Sequence, residues 1–320
     1  MSRQIRAGLL SAGLLFSLGC GAASACNAPP PAVIDIDANS YYTDSHHSII
    51  DPARKARNEA ATKPVNDYLE VVARAASNYQ AKQDRGEAQC ALAWLASWAD
   101  HKAMLGKMTT EQSFYTRKWT LAGLALSYAR VKPAATPAQQ ESIEGWFKAL
   151  ADGTIEHSEA HKGNRNNHYY WEGLAVAAAG AVTHEERHLA WGRKVFDHAM
   201  GQVADDGSLP LEMARASRAL SYHSFSAAPL VMLASVLNVQ SPKLDKLVKF
   251  TLDGTADPAI IQKMNGFAQE HVGTDVPGWA VIHARHAGKP VAPANGKRNW
   301  NARMGGDLNL PNPLEHPAAN

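Results

Sequence analysis

Three cysteines in 320 residues leave sulfur a small part in the chemistry of this chain. One of them, Cys20, falls in an N-terminal leader. Cys26 and Cys90 are better spent on a disulfide than on nucleophilic catalysis. The sequence has no G-x-G-x-x-G, no Walker loop and no G-x-S-x-G, so nucleotide cofactors and acyl-enzyme chemistry have no support. An excess of charge is missing too. Lys+Arg 32 against Asp+Glu 30 gives +2, and removing the leader with Arg3 and Arg6 leaves 30 minus 30, or zero. A nucleic-acid binder should carry a basic stripe; an anionic ligand is still compatible with a locally basic cleft. Past the leader no stretch approaches ~18 uninterrupted apolar residues, the length of a membrane span. Nothing alternates with period two for long, which argues against a sheet.

The first 25 residues read as a secretory signal. Arg3 and Arg6 make a basic start, Ala7 to Leu18 is nearly all apolar, and Ala23-Ser24-Ala25 is an A-x-A cleavage site. Lipidation at Cys20 is the weaker reading, because Ser17 stands where a bulky aliphatic residue is expected. Cleavage after Ala25 would deliver a periplasmic chain whose remaining cysteines, Cys26 and Cys90, form an even pair in an oxidising compartment. One disulfide or two unpaired thiols are both compatible with that count.

Residues 26–51 read as an extended arm, Pro-rich and then rich in Tyr, Ser, His and Asp. From Pro52 the pattern is helical almost throughout, and residues 52–320 read as one domain ending in an irregular tail. "CALAWLASWAD" sets Leu92, Leu95 and Trp98 on one stripe, and "WTLAGLALSYARV" is apolar nearly all round, as a buried helix would be. Helices joined by short loops over this length predict an all-α fold of antiparallel hairpins in an arc or ring.

Two His pairs invite a metal reading. "HEERH" (His184 to His188) matches H-E-x-x-H, but Thr183 and Glu186 form a T-x-x-E capping box that would put the motif on the solvated first turn of a helix. "HSEAH" (His157 to His161) has no obvious third ligand and reads as a polar helix end. Both are expected at the surface, and no metal is expected.

The densest chemistry lies in "NRNNHYYWEGLAVAAAG", Asn164 to Gly180. A helix starting near Asn167 would carry His168, Trp171 and Glu172 on one face, above a small-residue run suited to tight packing. A helix amino end offers free N–H groups and a positive dipole, which favour an anion and disfavour a protonated histidine. His168 can then stay neutral and act as a base, Asn167 can hydrogen-bond a carboxylate, and Lys162 and Arg165 add positive charge. The bland alternative is an Asn cap with buried aromatics. A second concentration, "ARASRALSYHSF", would place Arg215, Arg218 and Tyr222 on one helical face beside His223. Tyr115 in "FYTRKW" and Arg303 in "RNWNAR" also pair aromatics with cations. Rings suit the C–H faces of a sugar and arginines suit its carboxylates.

"NNHYYW" resembles the N-N-H-S-Y-W motif of alginate lyases of polysaccharide lyase family 5. The likeness continues, in order, through "CALAWLASWAD", "TRKWTLAGLALSYARVK", "GQVADDGSLPLE", "RALSYHSFSAAPL" and "RMGGDL", covering about Asn39 to Asp307. It implies an incomplete (α/α) toroid with a deep cleft, secretion, and β-elimination of a 4-O-linked polyuronate without metal or cofactor. Asn167, His168 and Arg218 fall on the family's catalytic and carboxylate-neutralising positions, and Cys26 and Cys90 fit a family disulfide. Three departures stand out. The family's catalytic tyrosine, last in a Y-H-x-Y run, is Phe225 here, so Tyr222 one turn earlier is the expected proton donor with His168 as base, or the two with roles reversed. The motif serine is Tyr169, and a lysine of the family's lid-like segment aligns with Tyr41. Tyr41, Tyr42, Tyr115, Lys162, Arg165, Trp171, Arg215, His223 and Arg303 are the expected substrate contacts, in a monomer that binds an anionic polysaccharide and neither nucleic acid nor membrane. Two rivals remain: a toroid glycoside hydrolase using a carboxylate pair such as Glu172 and Asp206, and a non-catalytic polysaccharide-binding protein that kept the fold.

Overall fold

A computed structural model describes residues 26–163, 165–270, 275–290 and 299–316. The expected leader through Ala25, with its Cys20, lies outside them, as do Asn164 and Arg298. Helix α1 (Pro52–Lys82) begins where the arm ends, because Asp51 caps the N–H groups of Ala53 and Arg54 and Pro52 fits the first helical position. Then follow α2 (Arg85–Asp100), α3 (Glu111–Val131), α4 (Pro137–Ala160), α5 (Asn167–Thr183), α6 (Glu186–Gln202), the single turn α7 (Pro210–Met213), α8 (Ala219–Val236), α9 (Pro242–Ala256), α10 (Ala259–Asn265) and α11 (Gly278–His286). A small antiparallel hairpin, β1 (Trp300–Asn301) with β2 (Gly306–Asp307), follows near the end of the described chain.

The helices form two rows. α1 packs on α3, α3 on α5, α5 on α8 and α8 on α11; α2, α4, α6 and α9 back this inner row from outside. Residue composition explains the sorting. α3, α5 and α8 are buried on nearly every face, whereas α6 and α9 carry one apolar stripe and a charged outer face. Ala216–Val236 is apolar enough to cross a membrane by composition, but 78% of its most apolar window is buried inside the protein. It is a core helix.

The small residues of α5 set how closely the rows approach. A Cβ on Gly173 would come within 2.6 Å of Val195 on α6, and one on Gly180 within 2.7 Å of His188. Side chains at those positions would push α6 outward. The arm is fastened to the outside of this core. Trp94 and Trp98 on α2 donate their indole N–H groups to the carbonyls of Asn27 and Pro30, and Ile36 pairs with Met108. Cys26 and Cys90 are joined, with Cα atoms 5.3 Å apart across 64 residues of sequence. Cross-linking a loop of that length removes roughly 4 kcal/mol of unfolded-chain entropy in the chain-entropy account.

The histidine pairs resolve differently from expectation. Thr183 closes α5 by bonding the Ala179 carbonyl, and the cap of α6 is Glu185, with no side-chain cap bond. There is no capping box. His184 is the left-handed cap of α5. His188, expected at the surface, is fully buried and bonds Asp152 at 2.7 Å. The two imidazoles thus belong to different elements and the zincin geometry does not form. His157 and His161 do lie at a polar helix end, but a third group, Glu111 on α3, meets them there.

Candidate active site

A cleft of about 1410 Å³ opens between the arm and the inner helices, lined by residues of the arm, α1, α3, α4, α5, α8 and the C-terminal hairpin. At its centre is the amino end of α5. Asn166 caps that helix by accepting the His168 N–H at 3.2 Å, so His168 occupies the first turn. Its ring stacks on Tyr115 from α3, centroids 3.7 Å apart and 13° from parallel. Nδ1 of His168 is buried without a partner, leaving Nε2 as the nitrogen available to a substrate. Burial, then the charges of Lys118 and Arg215 and the neighbouring His47, hold this imidazole well below its ordinary pKa. It is a neutral imidazole at pH 7.

The opposite wall is built by the turn before α8. Arg215 to Arg218 do not continue α8; Ala216–Arg218 form a 3-10 turn with Ala216 at φ 49°. Both guanidiniums nevertheless reach the α8 residue Tyr222, at 4.8 Å for Arg215 and 5.7 Å for Arg218 from the ring centroid. Burial raises the Tyr222 pKa, against a hydrogen bond with Tyr42 and the two arginine charges, which lower it. The phenol is therefore protonated at neutral pH. The arm completes this wall: Arg218 donates to the Tyr42 hydroxyl at 2.8 Å, Arg215 donates to His47 Nδ1 at 2.8 Å, and His46 bonds the Ala214 carbonyl. Tyr41 packs on Tyr42 at 4.7 Å; burial pushes both hydroxyls up to about 12. Arg303, from the turn between the hairpin strands, lies 4.2 Å over the Trp119 ring.

The structure thus brings Tyr41, Tyr42, Tyr115, Arg165, His168, Trp171, Arg215, Arg218, Tyr222 and Arg303 to one cleft. Three predicted residues stand apart. Asn167 is fully buried under the cleft, because its backbone N–H and its side-chain amide both donate to Glu212 Oε1 at 3.0 Å. The anion expected at this helix end is the protein's own carboxylate. Lys162 is exposed beyond the end of α4 and does not line the cleft. His223 is buried on the far side of α8, accepting the Leu209 N–H at 2.9 Å, and burial lowers its pKa to about 4. Trp171 is a floor residue, 1% exposed, donating to the Phe225 carbonyl. Phe225 itself packs between Trp119 and Trp171.

Several contributors lie outside the predicted set. Lys118 is buried beneath the cleft, 2.8 Å from Glu172 and 4.4 Å from the Tyr115 ring centroid. Glu212 holds Asn167 and approaches Arg215 at 3.5 Å, and Glu270 pairs with Arg218 at 3.2 Å. The carboxylate pair of the hydrolase reading does not form at the cleft: Glu172 is engaged by Lys118, and Asp206 caps the Ser208 N–H in a turn outside it.

Residues 35–261 match the family model described as alginate lyase. A polysaccharide lyase of Stenotrophomonas maltophilia is 39% identical, over 97% of this chain and 96% of that protein. The chain belongs to the alginate lyase family. An alginate lyase of Pseudomonas fluorescens is 33% identical, over 77% of this chain and 70% of its own length. Among solved structures, alginate lyase A1-III in complex with a tetrasaccharide superposes with a TM-score of 0.74 at 21% identity, covering 93% of this chain and 87% of that one. A crystal structure of A1-III from Sphingomonas species A1 gives 0.70 at 22% identity, covering 92% of this chain and 86% of that one. The two rows of helices are therefore those of an α/α toroid, and the family member described here is a polysaccharide lyase by kinship.

Proposed function

We propose that this lyase cleaves 4-O-linked polyuronates, with polymannuronate as the default substrate, by β-elimination in the cleft between α5 and α8. One observation carries the reading: a neutral imidazole and a protonated phenol line the same cleft, with two guanidiniums beside the phenol.

The difficulty in the reaction is the C5 proton, which lies α to a carboxylate whose charge resists a developing carbanion. Arg218 and Arg215 offset that charge as it grows. Asn167 acts from below, fixing the amino end of α5 through Glu212 and so fixing His168. His168 Nε2 takes the C5 proton. The electron pair forms the C4=C5 double bond as the C4–O4 bond breaks, and the Tyr222 hydroxyl gives its proton to O4. The pKa directions support these roles: a group held below its usual range is unprotonated and can accept, and one held above it is protonated and can donate. Tyr115 keeps the imidazole plane fixed, while Tyr41, Tyr42, Arg165, Trp171 and Arg303 line the path of the chain. The disulfide fits an oxidising compartment, and we place the mature protein in the periplasm, as a monomer, after cleavage behind Ala25.

The product's double bond is conjugated to the carboxylate, so ultraviolet absorbance reports the reaction directly. Polymannuronate, polyguluronate, glucuronan and hyaluronan are to be digested with the wild-type enzyme, His168→Ala and Tyr222→Phe. The wild type should raise absorbance on at least one polymer, and each variant should lose roughly 10²–10⁴ in kcat. New reducing ends without absorbance would mean hydrolysis. Wild-type turnover by Tyr222→Phe would remove the phenol from the mechanism.

A further inference from the structure

Glu111, His157 and His161 each offer one ligand atom, and these atoms lie within 4.8 Å of one another on the wall of the cleft. From this geometry we infer a binding site for a divalent transition-metal ion of the Zn²⁺ class, separate from the residues that act on the sugar. The donor set is two imidazoles and a carboxylate, which suits Zn²⁺, Ni²⁺ or Cu²⁺ and not the oxygen-seeking Ca²⁺ or Mg²⁺.

Three features prepare the site. His161 Nδ1 donates to the His157 carbonyl at 2.9 Å; a carbonyl can only accept, so the His161 Nε2 lone pair is free for a metal. That is the backbone bond that fixes the tautomer of metal-bound histidines. His157 Nε2 stands 3.2 Å from Glu111 Oε2. Two bonds of ~2.0–2.1 Å at a tetrahedral angle put ligand atoms about 3.3 Å apart, so an ion can replace the proton between these groups with little movement. The His157 ring is held in plane by Phe114, stacked at 3.5 Å and 7°, and its side chain is only 10% exposed. His161 must close the remaining gap; it sits just past the end of α4, 4.3 Å ring to ring from His157, where the backbone can adjust.

The cluster shares helix α3 with the Tyr115 wall of the cleft. Glu111 opens α3 and Tyr115 follows one turn later, so an ion would lie one helical turn from the Tyr115–His168 stack. Three protein ligands leave a coordination position open, and all three residues line the cleft along which a uronate chain would run. Glu156 and Glu172 add negative charge to this region and Arg117 adds positive charge.

The test is isothermal titration of Zn²⁺ into the chelator-stripped mature protein, without polysaccharide, so that its outcome is separate from that of the lyase assay. The wild type should take up one equivalent in a distinct tight phase. His161→Ala and Glu111→Gln, both at exposed positions, should weaken that phase by more than about tenfold, the lower end of what even an outer-shell partner is worth. His184→Ala, an unrelated cap histidine, should leave it unchanged. Circular dichroism of each variant confirms that it is folded. Absence of a tight phase in the wild type, or its persistence in both ligand variants, overturns the site.

Discussion

Replacing Lys118 by Met tests how the floor of the cleft governs its chemistry. The Lys118 side chain is 2% exposed and that of Glu172 is 11% exposed, with nitrogen and oxygen 2.8 Å apart. Lys118→Met preserves the aliphatic stem but leaves the Glu172 carboxylate without its cation. Breaking a buried pair from one side costs about 3–5 kcal/mol, which for a chain of this size is a fall in Tm of roughly 5–8 °C. The charge of Lys118 also helps hold the His168 pKa down. With that charge gone the imidazole protonates at higher pH, so the acidic limb of kcat/KM should move upward in pH. Thermal denaturation and a pH series of the absorbance assay read the two effects separately. Converting both partners, Lys118→Met with Glu172→Leu, should recover most of the Tm, since an apolar pair of similar volume does not strand a charge. A single variant that melts with the wild type, or a double variant no more stable than the single one, would refute the reasoning. An acidic limb that stays in place would show that Lys118 does not tune the base.

Arg218→Ala should lower kcat by roughly 10²–10³, as loss of a group acting on developing charge does; a change confined to KM would make it a ground-state contact only. In the Tyr222→Phe background, Phe225→Tyr places a hydroxyl at the last position of the Y-H-x-Y pattern that the sequence resembles, and should recover at least about tenfold in kcat, a fraction of the 10²–10⁴ at stake. No recovery would show that the phenol cannot act from there. Reducing the Cys26–Cys90 bond should lower unfolding free energy by about 4 kcal/mol in a urea titration, and a loss below ~1 kcal/mol would mean the arm is constrained without it.

Much of this was legible because its cause is local. Asn166 and Asn167 announce a helix start, and the all-round apolar character of "WTLAGLALSYARV" and "WEGLAVAAAGAV" announces an inner helix. Arg215, Arg218 and Tyr222 converge even though the first two precede the helix, because a 3-10 turn advances the chain almost as an α-turn does. What spacing cannot supply is the partner from elsewhere. Glu212 reaches Asn167 across 45 residues, Lys118 reaches Glu172 across 54, and Glu111 reaches His157 across 46. Each of these changes what its partner can do. Asn167 is occupied from below, and "HSEAH" acquires the third group it lacked. His223 shows the other limit: one residue from Tyr222, it faces the opposite way because helix phase, not residue type, decides which side is wet.

The walls of the cleft come from both extremities of the polypeptide. Tyr41 and Tyr42 belong to its opening stretch and Arg303 to its close. Such long-range closure is slow and entropically demanding. A nascent chain halted after α8 would already own the imidazole and the phenol but would lack the far guanidinium, so catalytic competence should arrive last, after the toroid has consolidated. Turnover is for that reason a stricter gauge of complete folding in this protein than helicity can be.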